Sequence, residues 1–388
     1  MSSYLRRVWA EVNLDNIAHN VKEIRRIVTP RVKIMAVTKA DAYGHGYLEV
    51  AKTLVESGAD YFGVAFLDEA KQLRRNGFEL PILILGYTPL EWVHELVAFN
   101  IIQTVYNFEA AQAISQAAYR VGKQAKIHVK IDTGMNRLGF LCNEQSIQTI
   151  LDIAKLPNLE IEGIFTHFAS ADETDRSFTV FQYEKFMEIC KALHDNGLSI
   201  PVKHACNSAA TIGFPEMHLD MVRPGLILYG LYPSEEVDHS LIQLKPAMEL
   251  KAMVTYIKQV PSEMPVSYGR TYTTKADTKI ATVPIGYADG YSRLLAHKAK
   301  ILINGQFAPV IGRICMDQCM IDVSSVNNIA IGDEVVIFGE QGGQSIFIEE
   351  IAATMGTINY ELLCVIGKRV PRVYIFGGHV VEVLNYLA

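Results

Sequence analysis

Lys39 follows an apolar, β-rich run, Lys33–Thr38 (KIMAVT), and opens the string Lys39-Ala40-Asp41-Ala42-Tyr43-Gly44-His45-Gly46. A lysine directly after such a strand is partly desolvated, which lowers its pKa and suits the amine to Schiff-base chemistry with an aldehyde. Taken alone, it reads more simply as a solvated residue beginning a loop. The pattern recurs along the chain. The run Lys126–Ile131 leads through Lys130-Ile131-Asp132-Thr133-Gly134-Met135-Asn136-Arg137, where Arg137 is either a clamp for a carboxylate or phosphate or an ordinary surface arginine. Other runs end in Thr166-His167-Phe168, in His204-Ala205-Cys206-Asn207-Ser208 and in Arg223-Pro224-Gly225-Leu226. A polar residue at the end of each run is harder to set aside than any one of them. Ser208 and the N–H groups at Gly225 and Leu226 suit an anion, because Gly225 lets the backbone approach it closely. A lysine able to form an imine, with a phosphate cradle, points to pyridoxal phosphate.

These endings need a scaffold that gathers them. Eight short β-rich runs occupy the first part of the chain: Lys33–Thr38, Tyr61–Phe66, Pro81–Leu85, Ile101–Val105, Lys126–Ile131, Ile161–Thr166, Val202–Ala205 and Leu219–Val222. Helix-like segments lie between them. Leu14, Ile17, Val21, Ile24 and Val28 recur at spacings of three and four, and further helices are expected at 48–56, 68–76, 90–99, 109–120, 144–154 and 178–196. Apolar strands alternating with helices imply a parallel sheet covered on both faces. Eight units fit an α/β fold of the (β/α)8 barrel type, with an open doubly wound sheet as the alternative. After Tyr232 the texture changes, and Pro233–Asp238 reads as a linker. Strand patterns then dominate, Asn304-Gly305 marks a hairpin, and helix signal is confined to about 348–355, so a mainly-β domain, barrel or sandwich, is expected. The expected domains are 1–238 and 239–388, the first ten or so residues being free to pack with the second.

Composition narrows the classes. The 388 residues are 49% hydrophobic and carry a net charge of -6, which excludes wholesale disorder and leaves no basic footprint for nucleic acid. The N-terminal string lacks the apolar core of a signal peptide, and no apolar run is long enough to span a membrane. Six cysteines read as reduced thiols of a cytoplasmic protein. Cys315 and Cys319 have no second pair, so no metal is expected. Gly339–Gly343 reads as a turn rather than a phosphate loop. Tyr287, Tyr291 and Arg293 are candidates for an entrance or for packing.

The strings AVTKADAYGHG, IDTGMNRLGF, GIFTHFASAD, HACNSAA, MVRPGLILYG, VSYGRTY, PIGYADGY, GRICMDQCMID and INYELLC resemble the bacterial alanine racemase family, in its order and from about Trp9 to Arg372. The resemblance implies a (β/α)8 barrel with a C-terminal β domain, pyridoxal phosphate, and a homodimer whose sites combine both subunits. It implies that Lys39 bears the cofactor and acts as one base, and that Tyr43, Ser208, Gly225, Leu226 and Tyr360 hold the phosphate. Arg223 would face the pyridine nitrogen. Tyr268 of the partner chain would be the second base, its phenol helped by cationic neighbours, Arg223 and His167, the latter equally readable as a satisfied barrel histidine. Arg137 and the Met316 backbone would bind the substrate carboxylate. Lys130 matches a lysine that some relatives carry as a carbamate bracing that arginine, and Tyr287, Arg313 and Asp317 are entrance candidates. Thr38 and Asp41 stand where many members have valine and asparagine. The implied activity is interconversion of L- and D-alanine for peptidoglycan synthesis. Serine or broad-specificity racemases, a barrel-type decarboxylase and a non-catalytic cofactor carrier are the alternatives. Arg223 speaks against the decarboxylase, which uses a glutamate there, and the C-terminal domain against the carrier.

Overall fold

The computed structural model describes residues 7–388, which divide into two compact units. One comprises residues 17–42 and 50–245; the other comprises 43–49, 246–388 and the described residues up to Asn16. Along the chain the main division falls between Lys245 and Pro246.

The first unit is built on β1 (Lys33–Val37), β2 (Tyr61–Val64), β3 (Ile82–Ile84), β4 (Ile102–Val105), β5 (Ala125–Asp132), β6 (Leu159–Phe165), β7 (Val202–His204) and β8 (Met221–Val222). From β1 to β7 each pairs in parallel with the next, and β8 returns to pair with β1, Met221 opposite Lys33. Between β7 and β8, Asp220 N donates to Lys203 O (3.0 Å) and Arg223 N to Cys206 O (2.9 Å), which closes the ring. The strands follow one another in sequence order around it, and this excludes the doubly wound sheet, whose order reverses. β2, β3 and β4 are buried at every residue, as strands covered on both faces require. Met35, Tyr61, Leu83, Ile102, Phe165, Val202 and Met221 form an apolar core cluster. Outside, helix Leu14–Ile27 turns Ile17, Val21 and Ile24 inward, all fully buried. Helices Phe108–Arg120 and Glu144–Ile153 start at Asn107 and Asn143, whose side chains accept from Ala110 N and Ser146 N. The helix expected over 90–99 winds as a tight 3-10 turn, Leu90–Trp92, before the α-helix Val93–Ala98.

In the other unit one hydrogen-bonded strand path runs from Tyr256–Val260 to His379–Leu384. Strand Val8–Asn13 lies within it, antiparallel to Met248–Met253 and parallel to Arg372–Phe376; residues 1–6 fall outside the described residues. At Asn304-Gly305 both φ angles are positive (50° and 70°) and Ile303 pairs with Gln306, the expected two-residue hairpin. Gly342 and Gly343 make a second such turn between Gln341 and Gln344. Helix Ile348–Met355 is followed by another, Asn359–Val365, which the sequence pattern misses. It has seven residues and no side-chain cap, and burial of Leu362 and Leu363 holds it instead. Cys142, Cys190, Cys206, Cys315 and Cys319 are free thiols, and no helix of the described residues is long and apolar enough to cross a membrane.

Candidate active site

Lys39 stands at the carboxyl end of β1 and is exposed in the single chain, in keeping with the simpler of its two sequence readings. The backbone after it is unusual. Ala40, Asp41, Ala42 and Tyr43 all have φ between 53° and 56°, a left-handed turn in which Ala42 N donates to Thr38 O at 2.9 Å. Left-handed helical backbone costs non-glycine residues about 1–2 kcal/mol each, so other contacts must hold it. The Glu69 carboxylate accepts from Ala40 N and from Ala65 N, both at 2.7 Å. Burial pushes that carboxyl above its ordinary pKa. Within the other unit, Arg372 Nε donates to Gly44 O (2.9 Å) and the Tyr374 hydroxyl to His45 O (3.1 Å). Gly44 has φ +78°, and a Cβ there would lie 2.2 Å from Leu363 O. The Tyr43 ring lies 6.2 Å from that of Tyr360, and burial pushes the Tyr43 phenol well above its usual pKa.

A cluster of cations lies at the carboxyl ends of β5 and β8. Arg223, just past β8, is 4% exposed. Its Nη2 donates to Thr166 O and Ala205 O (both 2.8 Å) and meets His167 Nδ1 at 3.2 Å, and its Nη1 meets His204 Nδ1 at 3.0 Å. Its Nε finds no protein acceptor among the described residues. Lys130, also 4% exposed, is pulled to a pKa of about 7, by burial first and then by Arg223 and Arg137. Burial, followed by the charges of Arg223, Lys130, Arg137 and Lys39, holds His167 well below its usual pKa. His167 is therefore a neutral acceptor for Arg223, not the cationic neighbour that would help a phenol. Arg137 is exposed on a loop held by Asp132, whose Oδ1 accepts from Gly134 N and Asn136 N, both at 3.0 Å.

Beside this cluster, Ser208 opens the helix Ser208–Gly213 behind Asn207, whose side chain accepts from Ala210 N. Ser208 Oγ accepts from Gly225 N at 2.9 Å. Gly225 precedes the 3-10 turn Leu226–Tyr229, and the fully buried Leu226 contributes an N–H without a protein acceptor. Thr38 Oγ1 is a further buried polar atom without a partner. Four cationic side chains, one of them a neutralisable lysine and another a guanidinium with a free Nε–H, and spare backbone N–H donors fit an anionic, aldehyde-bearing aromatic cofactor.

Tyr268 lies in the other unit, 70% exposed, on a turn where Ser267, Gly269 and Arg270 have φ of 64°, 71° and 51°. Ser267 Oγ donates to Arg313 O at 2.6 Å, and a Cβ on Gly269 would lie 2.9 Å from Arg313 Nη1. Tyr268, Met316 and Asp317 line a cavity of about 780 Å³. Met316 and Tyr287 are 52% and 42% exposed, and the Met316 N–H finds no acceptor among the described residues. Asp317 accepts from Arg369 Nη2 at 2.6 Å. Tyr291, considered for the entrance, is buried and packs, while Arg293 is exposed.

Sequence reasoning missed Glu69, Arg372, His128 and Glu162, and noticed His204 only as part of a strand ending. One signal was available. Lys126, His128 and Lys130 alternate along β5, a polar period of two in an apolar strand.

The pattern of the alanine racemase N-terminal domain matches residues 12–233, and that of the alanine racemase C-terminal domain matches 247–374. An alanine racemase of Clostridium perfringens is 52% identical over 387 residues, covering all of both chains. One of Methanococcus maripaludis is 52% identical over 368 residues, 95% of this chain and 98% of that protein. The solved structure of alanine racemase from Clostridium difficile 630 matches the whole of both chains with a TM-score of 0.96 at 46% identity.

Proposed function

The chain belongs to the alanine racemase family, and we propose that it interconverts L- and D-alanine with pyridoxal phosphate through two bases on opposite faces of the substrate. The observation that carries the reading is the grouping of Lys39, Lys130, Arg137 and Arg223 with His167, close enough for their charges to depress its pKa. Full-length likeness to alanine racemases removes the carrier and decarboxylase alternatives.

Pyridoxal phosphate, when bound, provides the aldehyde and conjugated ring that make the α-hydrogen of an attached amino acid acidic. Lys39 would hold it, and its amine would move the proton on one face of the substrate. Ser208, Gly225 and Leu226, with Tyr43 and Tyr360, bind its phosphate. Arg223 would offer its Nε–H to the cofactor ring. A guanidinium gives up no proton near neutral pH, and even with its pKa lowered to about 10 by burial Arg223 stays charged. Arg223 would therefore keep its proton beside the cofactor rather than give it up, which would favour racemisation over transamination. Arg137 and the Met316 N–H hold the substrate carboxylate. Lys130, part neutral near pH 7, is suited to attack CO2 and lose a proton, forming a carbamate between the cations Arg137 and Arg223.

Tyr268 serves the opposite face from a second copy of the chain. The exposed Tyr268, Met316 and Tyr287 support such a partner, since large apolar side chains grouped at a surface favour being covered. Tyr287, Arg313 and Asp317 are proposed to line the entrance. A cytoplasmic location and a role in making D-alanine for peptidoglycan belong to the same proposal.

Borohydride reduction followed by peptide mapping tests the cofactor, and assay with L- and D-alanine, with L-serine as competitor, tests the substrate. A reduced pyridoxyl group on Lys39 and turnover of both alanine enantiomers are expected. A label on another lysine, or none, overturns the reading.

A further inference from the structure

Behind Arg223 the barrel interior holds a line of polar groups that the reaction itself does not call for. Arg223 Nη1 meets His204 Nδ1 at 3.0 Å, His204 Nε2 meets His128 Nδ1 at 2.9 Å, and His128 Nε2 meets Glu162 Oε2 at 3.1 Å. Glu162 Oε1 accepts from Lys126 Nζ at 2.7 Å. Both histidines are fully buried, and Lys126, its side chain 44% exposed, ends the line toward the amino end of β5. Four residues of strand separate Lys126 from Lys130, so the line crosses about 13 Å of barrel.

The roles in this line follow from one end. A guanidinium can only donate, so His204 Nδ1 must accept and its proton must sit on Nε2. That proton is donated to His128 Nδ1, so His128 in turn carries its proton on Nε2 and donates it to the carboxylate. Every bond then points from Arg223 to Glu162. Both imidazoles stay neutral, since burial lowers their pKa values. Burial would raise the Glu162 carboxyl, but the bonds from His128 and Lys126 outweigh it and hold it at about 2. The fold makes room for the line. The register of β5 on β6 shifts between Ile127 and His128, which sets His128 against Gly163, where a Cβ would lie 2.5 Å from the ring.

We infer that Glu162, His128 and His204 are positioning residues that give the buried Arg223 a remote counter-ion and fix its orientation toward the cofactor ring. A carboxylate beside the ring nitrogen would let it be protonated. Set two imidazoles away, the same charge balances the guanidinium, and every proton on the line is committed away from the ring. The inference rests on the proposed role of Arg223.

Two variants test it. Glu162→Gln removes the charge at nearly constant shape, and Gly163→Ala pushes on His128 without altering a polar group. Histidine 15N spectra of the full chain, recorded without cofactor, are expected to show His128 and His204 as Nε2-protonated neutral rings that do not titrate between pH 6 and 8. Each variant is expected to mix the tautomers at both rings. With cofactor bound, each is expected to raise pyridoxamine formation relative to racemisation several-fold, a ratio that a loss of folded protein would not move. Wild-type rings protonated on Nδ1, or titrating normally, overturn the inference, as does an unchanged ratio in both variants. The first arm needs no cofactor, so an error in the cofactor reading would show in borohydride mapping while leaving the tautomers as described.

Discussion

At Arg223 and Tyr268 the proposed roles separate by experiment. Arg223→Glu should let the ring nitrogen take a proton. Racemisation should fall on the order of 100-fold, as when a preorganised charge is lost, while pyridoxamine accumulates faster relative to it. Following both products in one reaction checks this, and an unchanged ratio leaves Arg223 a structural role only. Tyr268→Phe should slow racemisation by roughly 100- to 10,000-fold, the usual worth of a general base, and leave cofactor binding intact. Exchange of the α-hydrogen in deuterated water should survive for one alanine enantiomer, D-alanine by family resemblance, and drop for the other; equal loss for both would sink the two-base assignment. Lys130 gives a test with a pH sign. Its pKa lies near 7 rather than 10.5, so above about pH 7 the amine is mostly neutral and reacts with CO2. With 13C-bicarbonate, a carbamate signal should appear above that pH, weaken below it at constant dissolved CO2, and be missing in Lys130→Ala.

Among the elements, the left-handed turn after Lys39 carries the most strain, and its glycines are not equivalent to those of ordinary hairpins. Gly44→Ala meets both an unfavourable φ and the Leu363 carbonyl at 2.2 Å. It should destabilise the chain by about 3 kcal/mol, because a backbone atom must move. Gly305→Ala, in the Asn304-Gly305 hairpin, has a similar φ but meets nothing closer than 3.4 Å. It should cost only about 1 kcal/mol, the conformational term alone. Denaturant titration of both variants measures the difference, and equal costs would show that the contact at Leu363 yields freely. The same comparison explains why a string such as KADAYGHG reads as a loop. Its shape is set by Glu69, Arg372 and Tyr374, none of them neighbours in sequence.

For the whole molecule the decisive question is where the two bases meet. Lys39→Ala and Tyr268→Phe should each be nearly inactive alone. Mixed in equal amounts with free subunit exchange, about half of the dimers are mixed and hold one intact site each, so about a quarter of all sites should recover under two-fold symmetry. Activity after mixing, with exchange shown by labelled subunits, measures this. No recovery would place both bases in one chain.

The order of elements was legible because it depends on short-range pattern. Apolar runs of four to six residues between amphipathic stretches mark strands buried on both faces, and eight of them already indicate a barrel. The proposed site residues of the barrel were picked out for a related reason: they lie at strand ends, where local strings such as Thr38-Lys39 and Arg223-Pro224-Gly225 stay together whatever the rest of the chain does. Position in the sequence failed where the controlling contact is distant. It left Lys39 open between a desolvated and a solvated reading, and His167 open between a cation and a satisfied histidine; in the fold Lys39 is exposed, and burial, with the charges of Arg223, Lys130, Arg137 and Lys39, keeps His167 neutral. It left His128 and Glu162 looking like ordinary strand polarity. Their meaning comes from a register shift and a glycine on the next strand, which bring groups 76 residues apart into a single hydrogen bond. Local pattern determines which backbone forms, because dihedral preference and burial act over a few residues; charge states and hydrogen-bond roles were decided only by the folded barrel, where burial makes each group's state depend on all its neighbours.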